Sequence, residues 1–339
     1  MLAHVALAAM LLGGASCERI YETEGDCDPY YFVEFIYDMN MEFADAFPAQ
    51  VNSVKLMVYD AATGNFVKTF EETSEAILSE KGYRMPVDLK PGNYDFIAWC
   101  GLHNNEGQFV VADPAPTREA LKCRLEARAY DGAQAVSQQE LHLLFHGMVV
   151  RQNLPDQQGE HTVTIRLTRD TNTINLSLTQ LGDKGMKPGQ FSVCMADTNG
   201  WMGYNNALLT DEPIEYRPYY QIYGSEDFTA GGASNADDDA CNYMRCELST
   251  ARLMVDHNPV IVVTDNESGK TVFSIPIVKW IRTYRSEASK RLVPDDQEYL
   301  DRENEYNVVL YIENNHGGWI AAQIEINGWR VRELGDTEL

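Results

Sequence analysis

Basic residues are scarce. Lys and Arg number 27 against 51 Asp and Glu, a net charge of −24 over 339 residues. So acidic a surface repels phosphate backbones, which excludes nucleic-acid binding as a function class. Glycine (24) and proline (13) together make up about a tenth of the chain, far below the ~25–30% of low-complexity sequence. After the first sixteen residues no apolar run approaches the ~20 residues of a membrane-spanning helix. Also missing are G-x-S-x-G, H-E-x-x-H, G-x-x-x-x-G-K-S/T and G-x-G-x-x-G, and with them the commonest hydrolase, zinc-protease and nucleotide sites. None of the seven cysteines forms a C-x-x-C pair, the usual redox or zinc spacing.

Few groups suggest chemistry. His142 and His146 are four apart and would share a face on a strand, but a pair without a third ligand is not a metal centre. Asn235, Asp237 and Asp239 copy the first, third and fifth positions of a calcium loop. The sixth is Ala240 where Gly is needed and the twelfth is Cys246 where a bidentate Glu belongs, so a solvated acidic loop is the expectation. No carboxylate pair is singled out by spacing as a glycosidase dyad. The run Tyr216-Arg217-Pro218-Tyr219-Tyr220-Gln221-Ile222-Tyr223 is either a recognition surface for a host protein or glycan, or loop packing. We therefore expect no enzyme, no cofactor and no metal site.

Residues 1–16, MLAHVALAAMLLGGAS, contain no charged residue. They are too short to span a membrane but suit the apolar core of a signal peptide. Gly14-Ala15-Ser16 then precede Cys17, the pattern of a bacterial lipoprotein signal in which the peptide is cut before a lipidated cysteine. Gly14 stands where a large aliphatic residue is usual. Cys17 is thus the expected lipid-attachment site, and multiple acyl chains would be required for stable tethering. The six remaining cysteines permit 15 disulfide connectivities, so pairing is not derivable.

Two-residue periodicity dominates the rest. Strands are expected over 31–37, 54–59, 66–70, 83–89, 94–100, 141–150 and 161–168, with Lys90-Pro91-Gly92-Asn93 as a tight turn. A second set is expected over 172–181, 189–195, 259–264, 271–279, 305–312 and 319–326. Helical windows are few: 75–81, with Ser74 before it and Gly82 after, and 116–129, where Leu121 and Leu125 are four apart. The polar, aromatic stretch 197–242 reads as long loops. These features predict an all-β chain of two β-sandwich domains in tandem with few short helices. The expected organisation is a signal peptide at 1–16, a lipidated linker at 17–29, and sandwiches at 30–168 and 169–339.

Several blocks together resemble the lipoprotein anchor subunits of Bacteroidetes fimbriae, the base component of type V pili. They are 37–48 (YDMNMEFADAFP), 54–60 (VKLMVYD), 88–94 (DLKPGNY), 144–148 (LFHGM), 299–306 (YLDRENEY) and 324–331 (IEINGWRV). The resemblance implies that both sandwiches are transthyretin-like. It implies an outer-membrane lipoprotein, held through Cys17, that anchors the fimbria, limits its length and docks to the first shaft subunit by β-strand pairing. It also implies a contrast with shaft pilins, whose first strand an arginine-specific protease removes. Here Arg19 is the sole Arg or Lys between Cys17 and Val54, and Lys55 comes next. A cut at Arg19 would leave the first strand in place, and one at Lys55 would destroy the second. The first strand is therefore expected to stay with its domain.

Overall fold

The computed structural model describes residues 28–103, 105–126, 128–182, 185–225, 241–315 and 318–333. In the first half, Pro29–Ile36 lies at the centre of a three-stranded sheet, parallel to Gly159–Arg166 and antiparallel to Arg84–Pro86. It faces a five-stranded sheet ordered Thr168–Arg169, Phe145–Leu154, Gly92–Cys100, Val54–Asp60 and Phe66–Glu72. Alternation decides which residues fill the space between. Tyr31, Val33 and Phe35 point inward and meet Leu56, Val58, Phe96, Ala98 and Phe145.

The larger sheet is covered on its other face as well, where Met57, Tyr59, Ile97 and Trp99 join a second core. Burial on both sides explains why 54–59 and 96–100 are near-continuous apolar runs rather than alternating ones. Part of the cover comes from residues 109–144 of the first half itself. Phe109, Leu121, Cys123, Leu125, Leu141 and Leu144 belong to that same second core. Residues 109–137 precede 168 in sequence, yet two of their strands pair with the second half. Lys122–Leu125 pairs with Trp201–Gly203, and Gln134–Ser137 runs parallel to Ile214–Tyr216.

The second half repeats the first strand's arrangement. Thr171–Gln180 is parallel to Glu305–Asn315, as Pro29–Ile36 is to Gly159–Arg166. Its six-stranded sheet is ordered Tyr220–Gly224, Tyr243–Ala251, Thr171–Gln180, Glu305–Asn315, Gly318–Ile326 and Trp329–Glu333. The opposing sheet is ordered Lys270–Pro276, Val260–Asp265, Phe191–Asp197, Ile214–Tyr216, Gln134–Ser137 and Ala129–Asp131.

Three expectations are corrected. The helix expected over 116–129 is a single 3₁₀ turn, Arg118–Ala120, followed by a strand. Leu121, Cys123 and Leu125 are all fully buried while Lys122 is exposed, so the operative period is two, not four. The strand expected over 271–279 ends at Pro276, and a helix Ile277–Tyr284 takes over, followed by Glu287–Leu292 and Asp296–Arg302. Among its described residues, the stretch expected as loops over 197–242 contains three strands, and Met202, Ile214 and Tyr216 in it are wholly buried.

Candidate functional site: the first strand and the terminal hairpin

The first strand is locked in by its neighbours. Eight residues pair in register with Gly159–Arg166, from Pro29↔Gly159 to Ile36↔Arg166, and three pair with Arg84–Pro86. Tyr31, Val33, Phe35 and Tyr37 are 3% exposed or less. At ~1.5–3 kcal/mol for each large buried side chain, their removal would cost roughly 6–12 kcal/mol, which is comparable with the whole stability of a typical domain. Further contacts fix the ends. The Tyr31 hydroxyl donates to the Pro155 carbonyl at 2.7 Å, and the Tyr37 amide donates to Asp45 at 2.9 Å.

Lys55, the first basic residue downstream, is closed to a protease. Its strand lies between Gly92–Cys100 and Phe66–Glu72, and its ammonium group pairs with Glu71 at 2.7 Å and Asp113 at 3.0 Å. Burial works against that charge, but the two carboxylates outweigh it and hold the Lys55 pKa above its ordinary value. Cys17 and Arg19 lie outside the described residues. Twelve residue steps separate Cys17 from Pro29, a reach of at most about 40 Å.

At the other end, the block 324–331 forms the turn of a hairpin. Gly318–Ile326 and Trp329–Glu333 are joined by Asn327 (φ 49) and Gly328 (φ 77), the left-handed pair that a two-residue turn of matching twist requires. Gly318–Ile326 is interior to its sheet, with Ile324 and Ile326 buried. Trp329–Glu333 is the edge strand, with one row of backbone donors and acceptors not used by its sheet.

The other sequence candidates do not converge. His142 is exposed in the loop before its strand, whereas His146 is buried against Trp99, ring centroids 4.6 Å apart. The His146 Nε2 lies 2.9 Å from the Tyr204 carbonyl, and burial pushes its pKa down to about 4. Within the aromatic run, Tyr216 is buried and donates to Asn199 at 2.6 Å, while Tyr219 donates to Glu247 at 2.7 Å. The Tyr223 hydroxyl donates to the Phe191 carbonyl at 3.1 Å. Tyr220 alone among these four is more than a third exposed. Asn235, Asp237 and Asp239 lie outside the described residues. Of the cysteines, Cys100, Cys123 and Cys246 are buried thiols, and burial raises the pKa of each.

Comparison with known proteins matches this architecture. A search of curated proteins finds no match. Among solved structures, a candidate adhesin from Bacteroides thetaiotaomicron is 31% identical, covers 91% of this chain and 99% of its own, and superposes with a TM-score of 0.75. A candidate polysaccharide-binding protein from the same species is 28% identical over 91% of this chain and 99% of its own, with a TM-score of 0.73. The fimbrial anchor protein Mfa2 from Porphyromonas gingivalis shares the fold at 18% identity and a TM-score of 0.64, over 91% of this chain and 100% of its own. Residues 23–335 match the family of fimbrillin-A associated anchor proteins Mfa1 and Mfa2, and the chain belongs to that family of fimbria-associated proteins.

Proposed function

We propose that this chain is the base subunit of a fimbria, tethered to the outer membrane by lipid on Cys17, and that it anchors the shaft and limits its length. The observation that carries the reading is the first strand. It is central in its sheet and supplies the inward-facing core of the first sandwich, and the next basic residue after Arg19, Lys55, lies inside the following strand, which supports a first sandwich whose groove stays filled. A subunit with a filled groove can end a polymer but cannot accept a donor strand there, and that is what a terminal member requires. Docking to the first shaft subunit then uses a sheet edge, and Trp329–Glu333, the last strand among the described residues, is the edge we assign to it. Family membership supports a fimbrial role and a protein partner.

The test is Cys17→Ala with cell fractionation and a fimbria-length count by electron microscopy. Protein and unusually long fimbriae in the medium are the expected result. Release of the protein with attached fimbriae unchanged would reject the anchoring role. Retention in the membrane would reject Cys17 as the tether. A second reading, a surface adhesin, draws on the 31% identical relative described as a candidate adhesin. It is not supported at 216–223, where most rings are tied into the sheet.

A further inference from the structure

The dipeptide Asn-Gly occurs twice in the chain, at 199–200 and at 327–328. Asparagine before glycine readily loses its side-chain nitrogen, because no Cβ keeps the glycine amide away from the asparagine Cγ. The fold puts the two copies in opposite surroundings. Asn199 is wholly buried. Its Nδ2 donates to the carbonyls of Ala251 at 3.1 Å and Arg252 at 3.0 Å, and its Oδ1 accepts from the Tyr216 hydroxyl at 2.6 Å. Gly200 is packed so closely that a Cβ there would lie 2.4 Å from Ile214 Cδ1 and 2.5 Å from Asp211 Oδ2.

Asn327 and Gly328 form the turn that leads into the edge strand Trp329–Glu333. Asn327 is half-buried and Gly328 is exposed, with nothing within 4 Å of where a Cβ would stand. The restraint on Asn327 comes from Asn307. Its amide donates to Asn327 Oδ1 at 2.8 Å, and its carbonyl accepts from the Asn327 amide at 2.8 Å. Beyond the turn lies a strand paired on one side only, and an edge of that kind opens locally at low cost. Opening frees the Asn327 side chain to meet the glycine amide.

We propose that Asn327 is a site of spontaneous deamidation, that the change releases the edge strand Trp329–Glu333 from its sheet, and that Asn199 stays intact. The Gly328 nitrogen attacks Asn327 Cγ, the Cγ–Nδ2 bond breaks, and Nδ2 leaves as ammonia with the proton from the glycine amide. Water then opens the resulting succinimide ring at either carbonyl and gives aspartate or isoaspartate. One water is taken up and one ammonia released. Isoaspartate adds a carbon to the main chain of the turn, and turn length fixes register in a hairpin. The pairing of Trp329–Glu333 with Gln323–Ile326 is lost with that register. At Asn199 three hydrogen bonds and a packed glycine block the same attack. This inference does not depend on the anchoring reading.

The experiment stores the purified full chain in mildly alkaline buffer at body temperature for weeks, with a urea-unfolded sample alongside, and maps tryptic peptides by mass spectrometry. In the folded protein, aspartate and isoaspartate are expected at 327 and unmodified asparagine at 199, whereas the unfolded sample changes at both. Amide hydrogen exchange over 329–333 should rise several-fold in the aged protein. It should stay unchanged in aged Asn327→Gly, which keeps a turn of positive φ but has no side-chain amide to lose. The proposal is overturned if 327 stays intact in the folded protein while the unfolded sample is modified. Modification of 199 as fast as 327, or unchanged exchange over 329–333 in the modified protein, overturns it equally.

Discussion

Arg302 joins the two halves of the chain through main-chain atoms of Asn40. Its Nη1 donates to the carbonyls of Asn40 at 3.1 Å and Asp38 at 2.8 Å, across more than 260 residues. The guanidinium stacks 4.3 Å from the ring of Phe43, whose φ of 53° is left-handed, and its Nε donates to Glu298 at 2.8 Å. Two residues on, the Asn304 side chain donates to the Tyr37 hydroxyl at 3.2 Å. The blocks 37–48 and 299–306, distant in sequence, are the two sides of one junction. Arg302→Ala should lower unfolding free energy by about 2–4 kcal/mol, because it strands two carbonyls and removes a charged donor. Urea denaturation reads this directly. A change below about 0.5 kcal/mol would mean the junction adds nothing to stability.

Gly147, in the block 144–148, lies at a close approach between the two sheets of the first sandwich. A Cβ there would lie 2.6 Å from the Arg166 carbonyl oxygen, 2.7 Å from Ile165 Cγ2 and 2.8 Å from Leu167 Cδ2. The obstacle includes backbone, so neither neighbour can simply turn aside. Gly147→Ala is expected to cost about 1–3 kcal/mol, measured as a fall in thermal midpoint. An unchanged midpoint would show that the sheets can separate there without loss.

Strand content was legible because alternation survives wherever one face is buried, as in 29–36 and 171–180. The signal failed in two specific ways. Leu121 and Leu125 fit helical and strand spacing alike, and Cys123 between them decided the matter in favour of a strand. The helices of 277–302 were hidden because Ile275, Ile277 and Val278 continue the apolar run of the preceding strand. Their caps were readable: Ser286 accepts from the Ser289 amide at 3.0 Å, and Asp295 accepts from the Glu298 amide at 2.7 Å, both at capping-box spacing. In the Pro-Gly turn, Gly92 is needed for room more than for φ. The Tyr94 hydroxyl donates to Lys90 at 3.0 Å, and its ring lies 3.2 Å from where a Cβ of Gly92 would sit. The pairing of 134–137 with 214–216 was not legible at all, because no local pattern specifies which distant strand a short edge will join.

Stability should fall on acidification through His146. Burial holds its folded pKa at about 4, below the ~6.5 of the unfolded chain. The unfolded state therefore takes up a proton as pH falls below ~6.5 while the folded state does not, and about 3 kcal/mol is lost by pH ~4. Asp170 acts oppositely. Burial outweighs Arg252 and Asn206 and raises its pKa to about 7, so its contribution is present at low pH and lost as pH rises through that value. Comparing the wild type with His146→Gln cancels the Asp170 effect. The variant should gain about 3 kcal/mol relative to wild type between pH 7 and pH 4. Parallel stability curves would show that His146 titrates as if in water.

Two truncations separate core from docking at the chain's end. Removing residues from 323 onward takes away Ile324 and Ile326, which are buried, and the pairing of 323–326 with Val308–Tyr311. Loss of cooperative folding, seen by circular dichroism, is the expected result. Removing only 329–339 deletes the edge strand and leaves Gly318–Ile326 paired on its inner side, so folding should persist. If that edge receives the shaft, cells carrying the shorter truncation shed their fimbriae although the subunit is folded and membrane-bound. Fimbriae that stay attached would move the docking surface to another edge, of which Gly159–Arg166, outermost beside the first strand, is the next to test by placing a proline at Thr162 to block strand pairing.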